Sequence, residues 1–445
     1  MSIKPKLGVF DLTMIIVSLV IGIGIFRNPA IVAQKAGSPL IFFTAWILGG
    51  LVSICGALTF AEIGSRLPVA GGFYKIFSYC YHPAYAFMLN WALVITNAAS
   101  AVGVAIVGAE YINPVVMPVT FQNETGIKVT AVVVTLILYI LNFLGIKIGA
   151  RAQNILSMVK IAMLVIFCCA LFGPHQKLAK PLFDNSVEGF SFVKALGVSL
   201  IAIFFTYGGY QNTINFGADV LQPSRNIPRA IFAGIGIVIA LYLTINFAYV
   251  SVLGFDNVQH SKLLAAELAG SFFGPVGYTL ASLAIFISVL GFINTSLMSN
   301  PRIYYAMAED KILPPVFKKI NERTMTQEFG LSFFVALMLI SLFLLGTFEK
   351  IVDYVMFIDS LSLVSAAGTI FILRGRAKVA GNEDGEIYKI KLYPLVPLLF
   401  MLVLFIVMIN VVISDPLSSS YGFAIFLIGY PLYRILIRIL NRKHN

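Results

Sequence analysis

The sequence predicts an all-α membrane protein of twelve transmembrane helices, an inverted 5+5 repeat with broken helices 1 and 6, plus two additional C-terminal helices. Three observations lead there. The 445 residues are 59% hydrophobic and only 11% charged, about half the charged fraction of a soluble domain. Twelve apolar runs approach the roughly 20 residues that cross a bilayer. The first and sixth runs carry glycine interruptions, in "VIGIGIFRNPA" (20–30) and "FFTYGGYQN" (204–212).

The runs lie at 9–34, 39–66, 84–113, 127–146, 151–173, 192–219, 228–254, 275–307, 329–347, 350–374, 392–413 and 420–440. The first follows Lys4 and Lys6 as a signal peptide would, but it is too long and lacks a small-residue cleavage site, so it is expected to be a retained span. The polar stretches between runs are short and leave no room for a soluble domain. The halves are expected at 1–173 and 192–374, with helices 11 and 12 in 392–445.

The basic residues test the orientation. With the N-terminus in the cytoplasm, 22 of the 31 lysines and arginines fall on inner segments and 7 on outer ones, with Arg27 and Lys160 inside spans. The positive-inside rule then puts both termini in the cytoplasm of a cell-membrane protein.

The two interruptions lie five spans apart in order, an odd number, so the broken helices cross in opposite directions. Such a pair at corresponding places in two halves marks an inverted-repeat transporter. Close helix packing through small residues is the plainer alternative, but neither "GIG" nor "GG" has the four-residue spacing it uses. A break exposes N–H groups at the start of one half-helix and carbonyls at the end of the other, tolerated in lipid only against protein or a cavity. The first attract a carboxylate and the second an ammonium. A free amino acid carries both charges, and burying them costs several kcal/mol per ion unless each is matched. A zwitterionic amino acid is the expected substrate.

Five segments resemble, in order, the L-type amino-acid transporter branch of the amino acid–polyamine–organocation superfamily. They are "IGIGIF" in span one, "FAEIGSRLPVAGGFYKIF" (60–77), "FFTYGGYQN" in span six, "DVLQPSRNIPRAI" (219–231) and "NPRIYYAMAEDKILP" (300–314). The resemblance implies that Gly22, Ile23, Gly24 and Ile25 surround the substrate carboxylate. It implies that carbonyls near Ile21, Phe205, Thr206 and Tyr207, ahead of Gly208, receive the ammonium, and that Phe205 is an aromatic gate. Three departures bear on side-chain preference. Ile23 stands where the family has Ser or Ala, Tyr210 and Gln211 replace Trp and Asn, and Ala218 replaces an acid. Tyr210 is thus a candidate for specificity.

Lys160 lies nine residues past Arg151, roughly 13–14 Å along a helix and near the middle of a core about 30 Å thick. A charge there is a functional hypothesis by default, although a snorkelling lysine is the bland alternative. The resemblance places a lysine here, where related sodium-coupled carriers hold sodium. Sodium-independent transport is therefore expected, with Ser288 as a hydroxyl partner. A fixed cation in a carrier or exchanger and a proton-coupled amino-acid or polyamine symporter both remain open. Arg27 has two readings: a ligand for an acidic side chain, or a snorkelling residue paired with Glu110 or Asp359. The second is preferred. Glu62 is expected to fix a loop through Arg66 or a neighbouring segment.

Rival classes find less support. His82, His175, His260 and His444 are scattered without an enzyme motif, so the chain is expected not to be an enzyme. A receptor without transport leaves the paired breaks unexplained. The four cysteines have no metal-like spacing and read as small buried hydrophobes, and neither metal, cofactor nor nucleic acid is implied. Animal relatives bond a partner subunit through a cysteine after span three. The corresponding loop, 113–127, has none, so no disulfide-linked partner is expected.

Overall fold

The computed structural model describes residues 8–67, 72–144, 162, 189–211, 220–345, 348–379 and 387–442. Apart from Ala162, the expected span five, with Lys160, lies outside them. The described residues are helical almost throughout. In chain order the helices are α1 (Val9–Val20), α2 (Gly24–Ala36), α3 (Pro39–Arg66), α4 (Gly72–Cys80), α5 (Pro83–Val116), α6 (Glu124–Phe143) and α7 (Gly189–Tyr207). They continue with α8 (Pro223–Leu253), α9 (Phe255–His260), α10 (Leu264–Glu309), α11 (Glu328–Leu345), α12 (Phe348–Val379), α13 (Leu395–Ser414) and α14 (Pro416–Arg442).

Local chemistry sets the boundaries. Ser38 and His82 cap α3 and α5, their side chains accepting from Ile41 N at 3.4 Å and Ala84 N at 3.1 Å, each just ahead of a proline. Such a proline costs nothing at a helix start, where its missing N–H has no partner anyway. Gly37 ends α2 at φ 68°, a left-handed conformation that glycine adopts freely. Gly274 takes φ 62°, ψ −152° inside α10 and Pro275 follows, so α10 is two helices joined at a kink. The expected span 275–307 is its second part.

Among the described residues, eight helices are long and apolar enough to cross a membrane, with shorter apolar helices at Phe192–Tyr207 and Glu328–Leu344. The expected 39–66 coincides with α3, most other described ends shift by a few residues, and the helix of the expected 192–219 ends at Tyr207. The short helices α4 and α9 lie between spans.

The long helix α5 sits at the centre, packed against α4, α6, α10, α11, α12 and α14. Its small residues allow this closeness. A methyl group at Gly108 would lie 2.6 Å from Val289 Cγ1 of α10, and one at Gly103 would lie 3.0 Å from Ile351 Cγ2 of α12. By contrast α13 and α14 expose Leu402, Ile413 and Leu427, apolar side chains that suit lipid.

One polar cluster ties the Arg66 end together. Glu62, fully buried, accepts from Arg66 Nε (2.7 Å) and Arg374 Nε (2.8 Å) on Oε1. Its Oε2 accepts from Arg374 Nη2 and Ile390 N, both at 2.7 Å. Arg374 also stacks on Tyr393, 3.8 Å from the ring centroid. Glu62 thus holds Arg66, as its spacing predicts, and also α12 and the chain after it. Burial first, then the Glu62 charge, pushes the Tyr388 hydroxyl in that connection up to about 12.

Candidate functional site: two helix breaks in contact

α1 stops at Val20. Ile21 is extended at φ −68°, ψ 103°, and α2 begins at Gly24 behind Ile23. The first hydrogen bond of the new helix runs from Phe26 N to Ile23 O at 3.0 Å. The amides of Gly22, Ile23, Gly24 and Ile25 therefore precede any i→i−4 partner. Ile21, Ile23 and Ile25 are buried.

The second break follows α7. Gly208 and Gly209 form a turn, Gly209 at φ 121°, and Gln211 Oε1 accepts from Gly209 N at 2.7 Å. Residues 212–219 lie outside the described set, Ala218 among them. The conformational demand for glycine falls on Gly209 and not on Gly208, whose φ is ordinary.

The two breaks touch. A methyl group on Gly24 would lie 2.9 Å from both Cα and Oγ1 of Thr206. Glycine is thus required at position 24 by close approach and not, as "GIG" read alone implies, by an unusual backbone angle. Asn28, one turn further along α2, donates to Thr206 Oγ1 at 2.7 Å and to Ala202 O at 3.1 Å.

Tyr242 of α8 lies where both breaks converge. Its hydroxyl is 3.1 Å from Val20 O and 3.4 Å from Thr206 O. A hydroxyl has one proton, so it serves one of these carbonyls at a time. Its ring packs on Tyr207 and Trp46, with centroids 5.1 Å and 5.9 Å away, and Tyr207 donates to Trp46 O at 3.2 Å. Tyr242 and Asn28 were missed in the sequence. A tyrosine in an apolar span carries no local signal, whereas an asparagine one turn past a break could have been noticed.

The other candidates sit around this pair. Phe205 is half-buried, its ring edge-on to Phe348 of α12 at 5.9 Å. Arg27 is buried, donates to Lys262 O at 2.7 Å, and lies 3.7 Å from Glu110 Oε2. Its acid is thus Glu110 and not Asp359. Tyr210 packs against Phe60 and Phe400, with centroids 6.2 Å away in both cases. Ser288 is buried on α10, beside the Val289 that meets Gly108.

A polytopic helical bundle with two interrupted helices in contact has the form of a membrane carrier. The chain belongs to the Amino acid permease family, whose pattern matches residues 7–433, and is a permease and not an enzyme. It is 30% identical to the serine/threonine exchanger SteT of Bacillus subtilis (strain 168), over 97% of both chains. It is 27% identical to the large neutral amino acids transporter small subunit 2 of Rattus norvegicus, over 97% of this chain and 80% of the other. It is also 27% identical to the cystine/glutamate transporter of Homo sapiens, over 98% of this chain and 86% of that one.

Proposed function

We propose that this protein is a secondary active transporter that carries amino acids across the cell membrane by alternating access, without sodium and by exchange. Twelve spans form it: an inverted pair of five-helix halves, 1–173 and 192–374, followed by helices 11 and 12 in 392–445, with both termini in the cytoplasm. The observation that carries this reading is the contact of Gly24 with Thr206. It brings helix-start amides of one half, which lack an i−4 partner, and terminal carbonyls of the other to one place, as a zwitterion requires. In this reading the amides of Gly22, Ile23, Gly24 and Ile25 take the carboxylate. Carbonyls of Ile21, Phe205, Thr206 and Tyr207, leading into Gly208, take the ammonium. Val20 O, shared with Tyr242, belongs to the same set.

Phe205, hinged against Phe348, is the gate. Lys160, assisted by Ser288, supplies a positive charge in place of a metal ion. Two like charges in a low-dielectric interior repel strongly, so sodium is excluded. Arg27 and Tyr210 flank the site without being its main ligands. The exchanger named among the relatives favours exchange over proton symport. The loop after α5 has no cysteine, which supports action without a disulfide-linked partner.

The test is uptake of labelled amino acids into liposomes that carry the purified protein, with and without an internal amino-acid load. Uptake should require the load, persist when choline replaces sodium, and vanish in Gly24→Val, whose side chain collides with Thr206. Lys160→Ala should impair it. Full dependence on sodium, or equal uptake of decarboxylated amines, would sink the reading. A response to an imposed pH gradient that Lys160→Ala removes would replace exchange by proton symport.

A further inference from the structure

Glu62 and Glu110 lie in apolar helices and each faces an arginine. Asp359 does not. It makes no ion pair or hydrogen bond among the described residues. It stands eleven residues into α12, about 16 Å from the start of the helix and about 22 Å short of Arg374, inside the apolar window Tyr354–Lys378. A carboxylate at that depth is costly without a partner and calls for a function.

Its direction follows from helix geometry. Eleven residues make about three turns, so Asp359 shares a face with Phe348, which packs on Phe205 ahead of the second break. Asp359 is partly accessible, whereas its neighbours Phe357, Ile358 and Ser360 are buried. Ser362, one turn on, is 2% exposed and its hydroxyl has no partner among the described residues. Asp359 and Ser362 thus put acceptors on the face of α12 whose Phe348 meets Phe205. Arg27, the cation that would hold an acidic substrate, already binds Glu110 and the Lys262 carbonyl.

We propose that Asp359, with Ser362, is a side-chain subsite that selects amino acids carrying a cationic side chain. The inference rests on the proposed function, in which backbone groups at the breaks hold the α-amino and α-carboxyl groups. The carboxylate of Asp359 then meets the substrate's ammonium or guanidinium in a low-dielectric interior, where an ionic hydrogen bond is strong.

Liposomes loaded with lysine or serine and containing the full chain decide it, by uptake of labelled lysine and serine in the wild type, Asp359→Asn and Asp359→Glu. The wild type should carry lysine. Asp359→Asn should lower lysine uptake about tenfold or more with serine uptake kept within about twofold, and Asp359→Glu should restore part of the lysine uptake. Thermal stabilisation of detergent-purified wild type by lysine should likewise exceed that of Asp359→Asn, a readout that needs no transport. Wild-type uptake of serine without lysine would overturn the subsite and leave the proposed function standing. An equal loss of both substrates in well-folded Asp359→Asn would also overturn it. Failure of the wild type to carry either amino acid would remove the proposed function itself.

Discussion

Two ionic contacts hold opposite ends of this bundle, and they are built differently. At the Arg66 end, Glu62 is fully buried and both its oxygens are filled by four donors at 2.7–2.8 Å. At the Ala36 end, Arg27 of the broken helix holds the Lys262 carbonyl at 2.7 Å, while Glu110 stands 3.7 Å away, beyond a direct hydrogen bond. The first contact joins α3, α12 and the chain after it. The second joins α2, the half-helix that begins at the break, to α5 and the loop ahead of α10. We read the first, with close geometry on every lone pair, as a fixed strut, and the second, carried by a half-helix, as a latch. Under the proposed orientation the strut is cytoplasmic and the latch external.

The largest effect should come from breaking the strut. Glu62→Ala leaves the buried ends of Arg66 and Arg374 and the Ile390 amide without their acceptor, and removing one partner of a mostly buried set costs about 3 kcal/mol. Most of the protein should fail to purify as a monodisperse species, and the remainder should melt well below the wild type in detergent. Glu62→Gln keeps the acceptor oxygen and should recover part of that loss. A Glu62→Ala protein that melts within a degree or two of the wild type would dissolve the distinction between strut and latch.

Opening the latch should matter less to stability and more to turnover. Arg27→Ala removes, among its contacts, the charged hydrogen bond to the Lys262 carbonyl, about 1.5–3 kcal/mol, and loosens α2 there. The expected outcome is a smaller drop in melting temperature than for Glu62→Ala and a change of a few fold in exchange rate. The preference between neutral and acidic amino acids should not move, because Arg27 is turned to Glu110. A shifted preference in a competition panel would put Arg27 in the substrate path instead.

The same contrast explains what was legible in the sequence. Glu62 and Arg66 are four apart on one helix, so their pairing follows from spacing alone. The break at Ile21–Ile23 and the turn at Gly208–Gly209 were legible too, because glycines in an apolar run are a local signal. Arg374 lies 312 residues from Glu62, and nothing local joins them. Nor does anything local place Tyr242 between Val20 and Thr206, or Gly24 against Thr206. Those contacts depend on how helices cross. Tyr210 shows what motif position leaves out: its ring packs against Phe60 and Phe400. Motif order points to the two breaks, and packing decides which side chains face them.

A third ionic contact supplies the smallest and sharpest test. Lys75 of α4 meets Asp310, just past the end of α10, with Nζ 2.6 Å from Oδ2. By distance alone it matches the bonds of Glu62. It differs in solvent: the two side chains are 32% and 30% exposed. Water and salt screen such a pair, and ordering a long lysine side chain offsets much of the attraction, so exposed pairs are worth about 0.2–1 kcal/mol. Lys75→Ala should therefore purify normally and melt within a few degrees of the wild type. What difference remains should shrink as salt is raised toward 1 M, where the screening length falls to about 3 Å. A loss comparable to that of Glu62→Ala would mean that short distance, and not burial, makes the strut. It would also move the rigid end of the bundle from α12 to the contact between α4 and α10.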